Sequence, residues 1–220
     1  MIREPSGGDE LDALKFVGAV TASVSHELNN VITIIDQVGG LLQDTLAGAR
    51  AGAPLDMGRL QSMQERIARQ TRRGIEIVKN LNRFAHGVDE PVAQFEVNAV
   101  VANLVSLVQR LAELKKVRLS VRYAGRETYV TSSPFRLQQA VFHCLERFLQ
   151  CAPPGGEIAL AITCEGSSAC VAVSGPAVSA DEDWRDRLAG VLQVAHAPPA
   201  RISLAGGEAT EIRIEMPARH

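Results

Sequence analysis

A heptad seam near the start of the chain restricts its fold more than any other feature. Val17, Val24, Val31 and Val38 lie seven apart, and Thr21, Leu28, Ile35 and Leu42 form a second series four residues on. Apolar positions in alternating threes and fours mark a helix that packs lengthwise on another helix. They predict a helix from Leu11 to about Leu46. The Gly- and Ala-rich segment AGARAGAPLDMG then predicts a loop. A second seam, Leu60, Met63, Ile67, Gln70, Gly74, Ile77, Leu81 and Phe84, predicts a helix from about Asp56 to Ala85. Together they make an antiparallel hairpin with arms of about thirty residues, or roughly 45 Å. Val20, Ile32, Ile34 and Leu41 on the first arm, with Ile75 and Val78 on the second, widen the apolar stripe beyond a two-helix contact. A twofold homodimer forming a four-helix bundle covers that excess.

Near residue 90 the period changes. After GVDEPVAQ, a helix from about Val97 to Lys115 carries Val100, Val101, Leu104, Leu107, Val108 and Leu111 on one side. VRLSVRY and ETYVT read as strands by alternation and β-branched content. SPFRLQQAVFHCLERFLQ is an amphipathic helix that Ser133 or Ser132 can cap, with Pro134 suited to its first turn. EIALAITC and ACVAVSG read as a strand pair, DEDWRDRLAGVLQVA as a short helix, and ARISLAG with ATEIRIEMP as a hairpin about Gly206-Gly207. The expected organisation is a tail (1–9), the hairpin (10–88), a linker (89–96) and a sandwich with helices on one face of a mixed sheet (97–220). The fold class is α+β in two domains.

Composition excludes several functions. The net charge is −2 and aromatics are only 4% of 220 residues, so neither a polyanion-binding surface nor a base-stacking platform is expected. No window approaches twenty uninterrupted apolar residues, and the first ten residues carry acids and glycines where a signal peptide needs an apolar run. A cytoplasmic location without a membrane span is expected. Cys144, Cys151, Cys164 and Cys170 form no C-x-x-C pair and match no common zinc spacing. They read as reduced small hydrophobes. The histidines at 86, 143, 196 and 220 form no ligand cluster, and Gly155-Gly156 and Gly206-Gly207 read as hairpin turns rather than phosphate cradles.

The seam also fixes where chemistry can sit. With Val24 and Leu28 inward, His26 falls on the outer face, and Asn30 shares that face one turn on. Glu27 is beside His26 and can turn its carboxylate toward the ring. An exposed imidazole with an adjacent acid and a nearby amide can serve as a nucleophile for phosphorus. The same residues also fit a solvated surface histidine. Arg69, Arg72 and Arg73 fit either a solvated face or a surface that steers an acidic partner.

ASVSHELNNVITII resembles the phosphoacceptor box of bacterial two-component histidine kinases, in which His-Glu-x-x-Asn sits on the first helix of a dimeric hairpin. RQTRRGIEIVKNLNRFAH resembles the matching second helix, and residues 14–88 fit the dimerisation and phosphoacceptor domain. The resemblance implies His26 as phosphoacceptor, Glu27 as base and Asn30 as the amide that positions a phosphoryl group or water.

The second half resembles the ATPase domain of the same family in element order but departs from it where nucleotide is held. Laid on that pattern, His143 and Arg147 stand at the two expected asparagine positions, and a cation at Arg147 cannot ligate Mg²⁺. Gly175 stands where the adenine-reading aspartate belongs, and the glycine-rich lid is missing. The chain is thus similar to histidine phosphotransferases of the ChpT type, with a kinase-like hairpin and a degenerate ATPase domain. That similarity implies relay of a phosphoryl group through His26 between receiver-domain aspartates of response regulators, with an upstream hybrid kinase as a further partner. Mg²⁺ would come from the receiver, ATP would not bind, and no intrinsic metal or cofactor is expected. An ATP-dependent sensor kinase, a regulator phosphatase and a non-catalytic dimeric scaffold for receivers are the alternatives.

Overall fold

The computed structural model describes residues 7–89, 91–165, 167–178, 182–193, 197–206 and 209–219. The protein is α+β in two parts, a long helical hairpin followed by an α/β sandwich. Helix α1 spans Gly7–Arg50 and α2 spans Met57–Asp89. The first arm is therefore longer than its seam suggested, because Ala47 and Ala49 favour helix and carry it through Gly48. It ends at Gly52, whose φ of +96° needs a residue without Cβ. Ala53 N–H there donates to Gly48 O at 3.0 Å and Gly52 N–H to Ala49 O at 3.0 Å. α2 opens on Asp56, whose Oδ1 accepts from Arg59 N–H at 3.0 Å.

Residues 93–96, placed in the linker by sequence, instead form strand β1 (Ala93–Glu96), which pairs antiparallel with β3 (Tyr129–Ser132). Glu96 then caps α3 (Val97–Leu114), its carboxylate accepting from Asn98 N–H at 3.0 Å and Ala99 N–H at 2.6 Å. β2 (Arg118–Arg122) follows α3, and Ser133 caps α4 (Pro134–Cys151) with Oγ 3.3 Å from Arg136 N. β4 (Glu157–Glu165), β5 (Ser168–Pro176), α5 (Glu182–Val191), β6 (Arg201–Gly206) and β7 (Ala209–Arg219) complete the chain. The Gly155-Gly156 turn joins α4 to β4 rather than two strands. Residues 194–196, 207 and 220 lie outside the described set, so the expected end of the fifth helix, half of the final turn, His196 and His220 have no structural account.

The sheet runs β1-β3-β7-β5-β4-β2, with β6 also on β7; among the described strands only β2 and β4 pair in parallel. Every second residue of the central strands is inward and buried: Ile158, Leu160 and Ile162, then Ala169, Val171 and Val173, then Ile212, Ile214 and Met216. The opposing layer comes from α3, through Val101, Leu104 and Val108, and from α4, through Leu137, Val141 and Leu145. α3 is long and apolar enough by composition to cross a membrane, and 39% of it is buried inside the protein.

The hairpin does not stand apart from the sandwich. Phe16 of α1 meets Phe84 of α2 edge-on at 5.3 Å and Phe142 and Phe135 of α4 at 4.9 and 5.5 Å. Such ring pairs add about 0.5–1.5 kcal/mol each beyond area burial. A polar tie runs alongside: Asn103 Nδ2 donates to Asn80 O at 2.9 Å, and Gln138 Nε2 donates to Asn103 Oδ1 at 3.0 Å. Val20, expected at a dimer seam, is wholly buried in the same core.

Candidate functional site

Val24, Val31 and Val38 are buried against α2, and this orients the rest of α1. His26 lies on the exposed face, as its heptad position requires, and its ring makes no hydrogen bond among the described residues. Asn30 is also exposed. Glu27 points elsewhere. Its carboxylate is mostly covered and pairs with Arg73 Nη2 on α2 at 3.4 Å, 46 residues away in sequence.

Glu27 and Asn30 line one cleft of about 430 Å³ between α1, α2 and the end of α3, with Thr33, Gln37, Arg73, Arg110 and Glu113. Arg110 Nη1 bonds Glu113 Oε2 at 3.3 Å. The structure therefore brings Glu27 and Asn30 together and adds two arginines, while His26 opens to solvent beside them. Ser23, three residues before His26 on the same helix, is 2% exposed, and its Oγ has no hydrogen-bond partner among the described residues. It faces the interior. Arg73 could be picked out by sequence only as part of a basic run, and Arg110 carried no signal at all.

The three positions that depart from the nucleotide-binding pattern lie on α4 and β5. His143 and Arg147 face a cavity between α1, α4 and α5. His143 Nδ1 is 3.9 Å from Glu146 Oε2, and chiefly this neighbour holds the Glu146 carboxyl below its ordinary range. Gly175 is packed under Phe148, and a Cβ built on it would lie 2.6 Å from Cδ1 of that ring. No aspartate fits there without displacing the phenylalanine. At these positions the structure sets an imidazole, a guanidinium, which cannot ligate Mg²⁺, and a glycine covered by a ring. Among the described residues no group of three or more His, Cys, Asp or Glu could hold a metal ion.

The remaining titratable features are structural. Cys144 is fully buried and burial pushes its thiol far up, so it is inert. Cys164 and Cys170 stand on the paired strands β4 and β5, and neither forms a disulfide. His86 is exposed, 3.4 Å from Asp89.

No family model matches this chain, and no curated protein matches it. Among solved structures it is similar to the Acinetobacter baumannii histidine kinase AdeS, at 15% identity and a TM-score of 0.48, over 89% of this chain and 98% of that one. It is similar to histidine kinase ThkA in complex with response regulator protein TrrA, at 15% identity and a TM-score of 0.48, over 94% and 63%. It is also similar to the histidine kinase domain of the E. coli osmosensor EnvZ, at 14% identity and a TM-score of 0.46, over 59% and 91%. Each is a likeness of backbone arrangement and assigns no chemistry.

Proposed function

We propose that this protein is a cytoplasmic, homodimeric histidine phosphotransferase of two-component signalling. It takes a phosphoryl group from the aspartate of a phosphorylated receiver domain and returns it to another receiver. Nε2 of neutral His26 attacks phosphorus in line, the N–P bond forms as the acyl phosphate P–O bond breaks, and the receiver carboxylate leaves. Mg²⁺ arrives with the receiver. Glu27 turns from Arg73 to the Nδ1–H of His26 and holds the reactive tautomer. The observation that carries this reading is the pairing of a solvent-facing His26 with a second domain whose position 175 is covered by Phe148. The shared cleft of Glu27 and Asn30 also suits hydrolysis of the receiver phosphate, and we keep a phosphatase role as the second reading.

Dimerisation is supported by apolar surface that one chain leaves open. Ile32 is 60% exposed, Ile75 49% and Val78 43%.

The test is to incubate the full chain with labelled Mg²⁺-ATP and, separately, with a panel of receiver domains phosphorylated by acetyl phosphate. Label is expected on wild-type protein from a receiver, none on His26→Gln, and none from ATP. Efficient labelling by ATP, or label retained by His26→Gln, overturns the proposal.

A further inference from the structure

The joint between hairpin and sandwich encloses a cavity of about 270 Å³ that phosphotransfer does not use. Its floor is apolar and buried: Phe16 from α1, Phe142 from α4 and Leu188 from α5. Half-buried Trp184 forms one wall. Among its described lining residues, Lys15, Arg147 and Arg187 bring three fixed positive charges, and Asp12 and Glu146 bring two negative ones. A single carboxylate serves two of the cations, since Asp12 lies 3.5 Å from Lys15 Nζ and 4.0 Å from Arg187 Nη1. His143, chiefly through its hydrogen bond, and Lys15 favour the charged form of Glu146.

We propose that this cavity binds a small aromatic anion: one ring, or two fused rings, bearing a single carboxylate or phosphate. The ring lies on Trp184 over the phenylalanine floor, and the anionic group is taken by Lys15 and Arg187 at the rim. The volume falls just below the usual range for drug-sized ligands, about 300–1,000 Å³, which suits a small ring system. No metal is needed, because the guanidinium and ammonium groups supply the counter-charge. Asp12 and Lys15 belong to the helix that carries His26 roughly 20 Å further on, so an occupant touches the phosphoacceptor helix itself.

The binding claim is independent of the phosphotransfer proposal, because it is read from Trp184, the only tryptophan in the chain. The full-length protein is titrated in EDTA with 4-hydroxybenzoate and, separately, with phenyl phosphate, following Trp184 emission. Benzamide serves as the neutral control. A saturable change with half-saturation near or below about 1 mM is expected from at least one anion. Whichever anion responds names the head group. The double variant Lys15→Gln, Arg187→Gln alters side chains that are 67% and 62% exposed, so it is expected to stay folded with at most a small fall in melting temperature, as Asp12 loses both partners. It should raise the half-saturation about tenfold or more, one to two charge-assisted contacts being removed. Arg187→Lys should recover most of the loss. The proposal is overturned by no saturable response to either anion, by an equal response to benzamide, or by an unchanged titration in the double variant.

Discussion

Phe148 occupies the space that any side chain at position 175 would need: a Cβ on Gly175 would stand 2.6 Å from its Cδ1 and 2.8 Å from its Cγ. Carbon atoms in contact lie roughly 3.5–4.0 Å apart, so the two positions are mutually exclusive as built. Gly175→Asp should therefore destabilise the sandwich by about 3 kcal/mol, from overpacking and from burying a carboxylate. Phe148→Ala should cost about 3–5 kcal/mol by itself. In the double variant the losses should fall short of their sum by at least about 1 kcal/mol, since the smaller side chain makes room. Urea unfolding measures all three, and strict additivity would show that the ring and position 175 are independent.

The Glu27–Arg73 pair competes with any contact between Glu27 and His26. It lies partly in solvent, where such pairs are worth about 0–1 kcal/mol. Arg73→Gln should then raise the rate of phosphoryl exchange at saturating receiver by up to about fivefold. It should also raise the receiver concentration at half-maximal rate, because a steering cation is lost. Glu27→Ala should slow exchange by about 10²-fold. Adding Arg73→Gln to Glu27→Ala should leave the saturating rate unchanged. Rapid-quench transfer assays separate the two effects, and a further rate change in the double variant would sink the competition argument.

Assembly can be tested without touching the internal core. Leu28 and Ile35 are half-buried against the chain's own core, so Asp at either would damage the hairpin as well as a dimer. Ile32 and Val78 are open in the single chain. Ile32→Glu combined with Val78→Glu should give a monomer of native helical content, whereas wild-type protein is expected to sediment as a dimer at about micromolar concentration, its large apolar faces being covered. A wild-type monomer under those conditions removes the four-helix bundle.

Glu146 gives a pH signature. Its folded pKa is depressed, chiefly by His143, with a smaller pull from Lys15. Its stabilising contribution is therefore present above the ordinary carboxylate value of about 4.3 and is lost as pH falls through the folded pKa. Wild-type protein should lose thermal stability more steeply than Glu146→Gln between roughly pH 5 and 3. Equal slopes for the two proteins would rule out a stabilising His143–Glu146 contact.

The helical hairpin was legible because a seven-residue repeat states directly which residues share a face. What the repeat leaves open is which surface covers that face. Val20 belongs to the apolar stripe, yet a single chain already buries it completely, and Phe16 lies off the valine series altogether. β1 escaped notice because only Phe95 of its four residues is buried, too few for alternation to register. The exposure of His26 followed from its heptad position. The direction of Glu27 did not, since it depends on Arg73 from another helix. That position 175 is a glycine where the resemblance implies an aspartate could be read from sequence, but the ring that covers it could not, because β5 and α4 meet only in the fold.

The Phe16 cluster and the Asn80–Asn103–Gln138 tie fasten the sandwich to the base of the hairpin. A domain that swings on a tether reaches its target at a fixed effective concentration, often in the millimolar range, however dilute the protein is. A fastened one has no such encounter to offer. In the proposed relay, phosphoryl traffic at His26 is then second order, and its speed tracks the cellular abundance of the receivers. Such a protein would pass on not only whether a receiver is phosphorylated but how many copies of it there are.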